Sequence, residues 1–175
     1  MPESIVINLV SQTLSGVHDG KPFEFPVSTA ARGAGQRHGS LQTPLGQHIV
    51  RARIGAGVAP DTVFVGRRAT GEIWTPALHA AHPGRDWILT RILWLSGTER
   101  GRNRMGEVDS MRRYIYIHGT PAVEPMGVPA SHGCVRMRNA ALIWLFDRTD
   151  VGTVVTIMDE LPAAPPSTYR DGGGA

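Results

Sequence analysis

The sequence predicts a mostly β domain of many short strands with few short helices, and three observations carry that prediction. Glycine and proline are dense, 21 and 13 residues in a chain of 175, and both break long helices into turns. Several short segments alternate apolar and polar residues with the period of two that a strand requires. A wide apolar face with helical spacing occurs in one longer segment, toward the C-terminus. The length suits one domain, large enough to bury a core without a disulfide or metal to staple it. A single cysteine, Cys134, forms no internal disulfide.

In chain order, "SIVINLVSQTLSGVHDGKPFEFPVST" reads as a β-hairpin. Ile5, Ile7 and Leu9 alternate, "HDGKP" supplies turn chemistry, and Phe23, Phe25 and Val27 alternate again. The polar, glycine-rich "ARGAGQRHGSLQTPLG" is a loop, ending in Thr43-Pro44-Leu45-Gly46, whose proline second and glycine fourth fit a type I turn. "HIVRARI" and "DTVFVG" read as strands. "IWTPALHAAHPGRDWILTRILWL" combines a single helical turn around Ala77 to Ala81 with a strand-like "WILTRILWL"; Pro76, Pro83 and Gly84 forbid a long helix.

"RRYIYIHG" is the clearest strand, with Ile115 and Ile117 on one face and Tyr114, Tyr116 and His118 on the other. "RNAALIWLFDRTD" reads as a helix with Asn139 at the N-cap, and "GTVVTIMD" as a closing strand. The last segment, "LPAAPPSTYRDGGGA", has no core-forming pattern. The expected organisation is a folded domain over 1–160 and a flexible tail over 161–175.

Charge and composition limit the partners. Seventeen of the eighteen basic residues are arginine, Lys21 being the exception, and the pI is about 9.6 at a net charge of +3. Arginine grips carboxylates and phosphates in bidentate fashion, so anionic ligands fit. Nucleic acid does not. The densest basic stretch, Glu99 to Arg113, is interrupted by Glu99, Glu107 and Asp109 and lacks interleaved aromatic stacking platforms.

The first residues, "MPESIVINLVSQTL", have no basic n-region and carry Asn8 inside their only apolar run. No apolar run approaches the roughly 20 residues that span a bilayer. The expectation is a cytoplasmic protein without a membrane partner, or a periplasmic one if Met1 stands in place of a removed signal peptide.

The chemistry concentrates in "IHGTPAVEPMGVPASHGCVRM". Cys134 follows a glycine-containing turn that leaves backbone N–H groups free. It precedes the expected helix start, where the dipole lowers a thiol pKa. His118 lies sixteen residues earlier, at a strand end, across a loop whose Pro121, Pro125 and Pro129 can lead the chain back.

Three readings are open on the residues alone. Cys134 is a nucleophile with His118 as its base, which needs proximity in the fold rather than in sequence. Alternatively, Cys134 is a small buried hydrophobe and His118 a surface histidine. In the third reading, His79 and His82 of "HAAH" join His118, His132 or Cys134 around zinc; Pro83-Gly84 weakens the helix such a pair needs.

The string "IHGT…MGVPASHGCVRMRN…GTVVTI" closely resembles the L,D-transpeptidase (YkuD-type) catalytic domain, whose signature joins a strand histidine to [Ser/Thr]-His-Gly-Cys, an apolar residue and Arg or Asn. Here these are His118, then Ser131, His132, Gly133, Cys134, Val135 and Arg136. "QTPLG" resembles the family's upstream turn and "GTVVTI" its closing strand, while residues 58 to 100 add little.

The resemblance implies a curved β-sandwich of mixed sheets. It implies a cysteine enzyme acting on peptidoglycan stem peptides between the L-centre of diaminopimelate and terminal D-alanine. Cys134 would attack, His118 would carry the proton, and the Gly119 carbonyl would hold the imidazole. Backbone amides of Gly133 and Cys134 would bind the oxyanion, each worth roughly 3 kcal/mol.

His132 either lines the substrate groove or holds the loop; Arg136 either clamps a substrate carboxylate or braces the loop. Ser131 is also placed in the substrate site, and Tyr116 is a groove wall or, the favoured reading, half-buried sheet surface. No cofactor or metal is expected. Muropeptides are the expected partners, and carbapenem-type β-lactams the expected covalent inhibitors.

Water as acceptor makes the enzyme an L,D-carboxypeptidase, and an amine makes it a cross-linking or amino-acid-exchanging transpeptidase. Without an export signal the expectation is hydrolysis in murein recycling. A muropeptide-binding protein without turnover is the non-enzymatic alternative.

Overall fold

In the computed structural model, which describes residues 1–161, the strand signals resolve into ten strands and two helices. In order these are β1 (Ile5–Asn8), β2 (Thr13–His18), β3 (Lys21–Ser28), β4 (Gly46–Ile54), β5 (Thr62–Val65) and β6 (Arg68–Ile73). Then follow α1 (Pro76–Ala81), β7 (Ile88–Gly97), β8 (Tyr116–Gly119), β9 (Val135–Met137), α2 (Asn139–Arg148) and β10 (Val154–Met158). The expected tail, apart from Leu161, lies outside the described residues.

The strands make one mixed sheet in the order β4-β10-β1-β2-β3-β9-β8-β7-β5-β6, with β4 also bonded to β7. β1–β10 and β8–β9 are parallel and the remaining pairs antiparallel. Because β4 bonds to β10 along one edge and to β7 along the other, the curved sandwich is closed by hydrogen bonds all the way around. Inside it, Ile5, Ile7, Leu14, Val50, Leu93, Leu95, Ile117, Val135 and Met137 form one core, to which α2 adds Leu142, Leu145 and Phe146.

Local chemistry explains where the sequence reading departs from this fold. The expected hairpin is three strands. Asn8 Oδ1 accepts the N–H groups of Val10 and Ser11, at 2.9 and 3.4 Å, and turns the chain after β1; Gln12 completes the bend at φ +53°. Asn8 is thus a turn former at the end of the apolar run.

Thr43-Pro44-Leu45-Gly46 makes no turn. Thr43 bridges to Ala34 and the chain runs directly into β4. β6 is an additional strand, paired to β5 through a tight Gly66-Arg67 turn with both residues at positive φ. α2 begins one residue earlier than expected: Arg138 is the N-cap, without a side-chain bond, and Asn139 is already helical, its amide donating to Asp61 at 2.6 Å. The α1 turn is capped by Thr75, whose hydroxyl accepts from Leu78 N–H at 3.1 Å. Among the described residues no helix is long and apolar enough to cross a membrane.

Candidate active site

Cys134 and His118 reach the site on neighbouring strands. Parallel pairing sets Ile117 beside Val135, His118 beside Arg136 and Gly119 beside Met137. Paired residues share a face of the sheet and faces alternate along each strand. Ile117, Val135 and Met137 therefore enter the core, fully buried. Tyr116, His118, Cys134 and Arg136 fall on the opposite face. One step back in the register brings Cys134 beside Tyr116, whose N–H points to Sγ at 3.4 Å. His118 is then the diagonal neighbour of Cys134, a relation an imidazole can span.

Tyr114 lies outside β8. It stands at φ +56°, its ring is exposed, and its carbonyl accepts from the Cys134 thiol at 3.3 Å. Tyr116 is buried rather than half-exposed, and its hydroxyl accepts from Arg67 at 3.1 Å. His118 is 1% exposed, so the surface-histidine reading is overturned.

The His118 ring contacts the Gly119 carbonyl through Nδ1 at 2.7 Å. A carbonyl only accepts, so the neutral ring carries its hydrogen on Nδ1 and keeps a lone pair on Nε2. Gly119 is required there: a Cβ would collide with Asn139 Oδ1 and the Leu89 carbonyl oxygen.

The turn that presents Cys134 is held from both ends. Ser131 Oγ donates to the Cys134 carbonyl at 2.5 Å and accepts from Gly133 N–H at 3.2 Å. Thr43 Oγ1 donates to the Gly133 carbonyl at 2.9 Å and accepts from Ala30 N–H at 3.0 Å. Gly133 sits at φ +133°, a conformation that favours glycine.

The family model described as the L,D-transpeptidase catalytic domain, YkuD, matches residues 2–157. The chain belongs to the L,D-transpeptidase catalytic domain family. It is similar to the probable L,D-transpeptidase YbiS of Escherichia coli K12, 36% identical over 102 residues, which is 57% of this chain and 32% of the relative. The chain thus spans about a third of that relative's length.

Its fold is similar to that of an L,D-transpeptidase from Mycobacterium smegmatis, with TM-score 0.53 and 18% identity over 87% of this chain and 57% of the other. It is also similar to L,D-transpeptidase 3 from Mycobacterium tuberculosis, solved with a faropenem-derived adduct. That match has TM-score 0.53 and 16% identity, over 89% of this chain and 60% of the other.

Within this L,D-transpeptidase domain the remaining signature residues join an ion network that the sequence did not reveal. Asp86, in the segment leading into β7, contacts Arg136 at 3.0 Å and His132 at 3.5 Å. Arg136 also reaches Glu124 and the Ala130 carbonyl, each at 3.4 Å. Arg136 is thus tied to two carboxylates and to one carbonyl of the loop before the turn. His132 is exposed beside the turn, whereas Ser131 is buried and occupied in holding it.

Asp86 has no motif around it. Tyr114 reads from sequence only as a strand residue, and Thr43 carries a signal as part of "QTPLG", where its role is side-chain bonding rather than turn geometry.

The electrostatics correct a further expectation. β9 stands between Cys134 and α2, so the helix dipole does not act on the sulfur. Burial instead pushes the thiol up to about 12, against the opposing effects of the Tyr116 N–H, Arg136 and Arg113. Burial also pushes the His118 imidazole below its ordinary range, outweighing the Gly119 bond. Both groups rest uncharged.

Among the described residues no group of three or more His, Cys, Asp or Glu is placed to hold a metal ion. His79 is engaged otherwise, accepting from Trp74 Nε1 at 3.3 Å and stacking on Trp87.

Proposed function

We propose that this chain is a cysteine L,D-carboxypeptidase, acting through an acyl-enzyme on peptidoglycan stem peptides and releasing terminal D-alanine from tetrapeptide muropeptides. The observation that carries the reading is the β8–β9 register. It aligns Cys134 and His118 on one face while Gly119 leaves Nε2 as the basic nitrogen.

With both groups neutral at rest, the thiol proton leaves in step with attack rather than from a standing ion pair. The S–H turns from the Tyr114 carbonyl toward Nε2, and sulfur bonds to the scissile carbonyl carbon. His118, now protonated, gives its proton to the departing alanine amine as the C–N bond breaks, leaving a thioester. Water then loses a proton to His118 and attacks the thioester; as the C–S bond breaks, His118 gives that proton to sulfur, which restores the thiol and the neutral imidazole and frees a tripeptide.

For the oxyanion, the Cys134 N–H has no acceptor among the described hydrogen bonds and is the first donor. Gly133 N–H is held by Ser131 and must swing away to be the second. His132 and Tyr116 border the reacting face, His132 from its exposed edge.

Water is the acceptor this reading takes, in keeping with the expectation of hydrolysis from the sequence. Cytoplasmic trimming of recycled muropeptides is the setting that goes with hydrolysis. Carbapenem-type β-lactams are the inhibitors this chemistry implies, as covalent adducts on Cys134.

The test is incubation with a disaccharide tetrapeptide, with and without a free D-amino acid, and identification of products by mass. Loss of alanine alone supports the hydrolase. Dimers or amino-acid exchange replace it with a transpeptidase. No product from wild type or Cys134→Ala leaves a binding protein.

A further inference from the structure

Arg113 immediately precedes Tyr114, whose carbonyl holds the Cys134 thiol, yet the signature does not include it. Its guanidinium is half-buried and makes three hydrogen bonds: to the Gly35 carbonyl at 3.1 Å, Ser40 Oγ at 3.2 Å and the Gln42 carbonyl at 2.6 Å. All three acceptors are neutral. Among the described residues no carboxylate pairs with Arg113, although Arg85 and Arg102 each have one and Arg136 has two.

A partly buried cation without a counter-ion costs free energy that an anionic ligand can recover. Arginine has five N–H donors, so two of them are left.

Arg113 also borders a built space. The cavity of about 200 Å3 is lined by His38, Gly39, Leu41, Arg113, Ile115 and His132. It abuts the nucleophile's turn, since a Cβ on Gly133 would touch the Gln42 carbonyl at 3.3 Å and Ile115 Cδ1 at 3.5 Å. The lining combines one cation, Arg113, and two imidazoles, His38 and His132, with the apolar side chains of Ile115 and Leu41. A carboxylate attached to a small alkyl group fits both.

We infer that this cavity is the subsite for the C-terminal residue of the substrate, with Arg113 binding the free α-carboxylate and Ile115 and Leu41 facing the alanine methyl. The inference deepens the proposed function and rests on it for the direction of the substrate. Arg113 is a specificity residue: it selects chains that end at the residue to be removed and rejects those that continue. The charges of Arg113 and a Cys134 thiolate influence one another, which agrees with a carboxylate held there lying next to the scissile bond.

The test uses Nα,Nε-diacetyl-L-lysyl-D-alanine and its C-terminal amide. Binding to full-length Cys134→Ala is followed by NMR titration, so that no turnover is needed. The acid should bind at least 10-fold tighter than the amide. Adding Arg113→Gln should abolish that difference and leave the amide affinity unchanged.

Arg113 also ties down the loop containing Gly35 and Gln42, so a second variant leaves those bonds in place. His38→Glu puts a carboxylate at the cavity mouth; it should weaken the acid at least 5-fold and spare the amide. Equal binding of acid and amide to Cys134→Ala, or acid binding undiminished in both variants, overturns the subsite. A preference for the acid in a protein that releases no alanine from tetrapeptide keeps the subsite and removes the hydrolase reading instead.

Discussion

Two buried histidines in this molecule have nearly the same first contact and opposite fates. His48, on β4, is fully buried with Nδ1 2.9 Å from the Gly46 carbonyl; His118, on β8, is 1% exposed with Nδ1 2.7 Å from the Gly119 carbonyl. Burial lowers both below the ordinary imidazole value, His48 to about 4. The difference is the second nitrogen. His48 Nε2 is closed by Ser110 Oγ at 2.9 Å, whereas His118 Nε2 has no protein partner among the described hydrogen bonds, and His118 is the diagonal neighbour of Cys134 on the same face. Burial and a depressed pKa therefore do not by themselves mark a base. An unsatisfied nitrogen on the face that carries a nucleophile does.

The largest expected effect comes from the reacting pair. Cys134→Ala should abolish the covalent adduct detected by mass spectrometry. His118→Gln should lower kcat/KM for alanine release by roughly 10²–10⁴, the usual contribution of a general base, with little change in the urea midpoint. His48→Gln should reverse that pattern, with a stability loss of about 3 kcal/mol from two buried hydrogen-bond partners left unsatisfied and unchanged turnover per folded molecule. Equal turnover losses at the two positions would end the comparison.

Next in size is pH. The His48 pKa is about 6.5 unfolded and about 4 folded, so below 6.5 the unfolded chain takes up a proton that the folded chain refuses. Stability is whole above pH 6.5 and falls by about 3 kcal/mol as pH drops to 4. His118, also lowered, acts in the same direction. Urea unfolding at pH 7 and pH 4.5 measures the loss, and His48→Phe should flatten much of it.

Gly119→Ala should cost about 1–3 kcal/mol, as an overpacked site does, and should reduce kcat more than it raises KM by moving the carbonyl that orients His118. Smallest is Asp86→Asn, which weakens a largely solvent-screened network by less than about 1 kcal/mol; thermal melting at low and high salt reads it.

The placing of Cys134 and His118 near one another was legible because both sit in a signature whose ends are strands, and strands carry their register with them. Asp86 was not. It is an ordinary acidic residue in the segment that was hardest to read, and it reaches the site only because β7 lies beside β8. The thiol's electrostatics were misread for a related reason: "VRM" is only three residues, too short to show periodicity, yet as β9 it separates Cys134 from the helix. The three-stranded start was hidden because an Asn in an apolar run looks like an interruption until its side chain is seen capping a turn.

The closed ring of strands has a consequence for how the protein behaves in company. Going around it, every strand finds a neighbour on each side, and β6 alone among the ten is bonded along a single edge. An open edge invites the sheet of another molecule to add to it. β6 guards against this with Arg68 and Glu72 on a four-sixths polar or glycine stretch, "RATGEI", kinked by Gly71 at φ +88° and with Glu72 tethered to Arg85 at 2.9 Å. Crowded solutions should find this chain reluctant to aggregate, and charge removal on that one hairpin is where the reluctance would fail first.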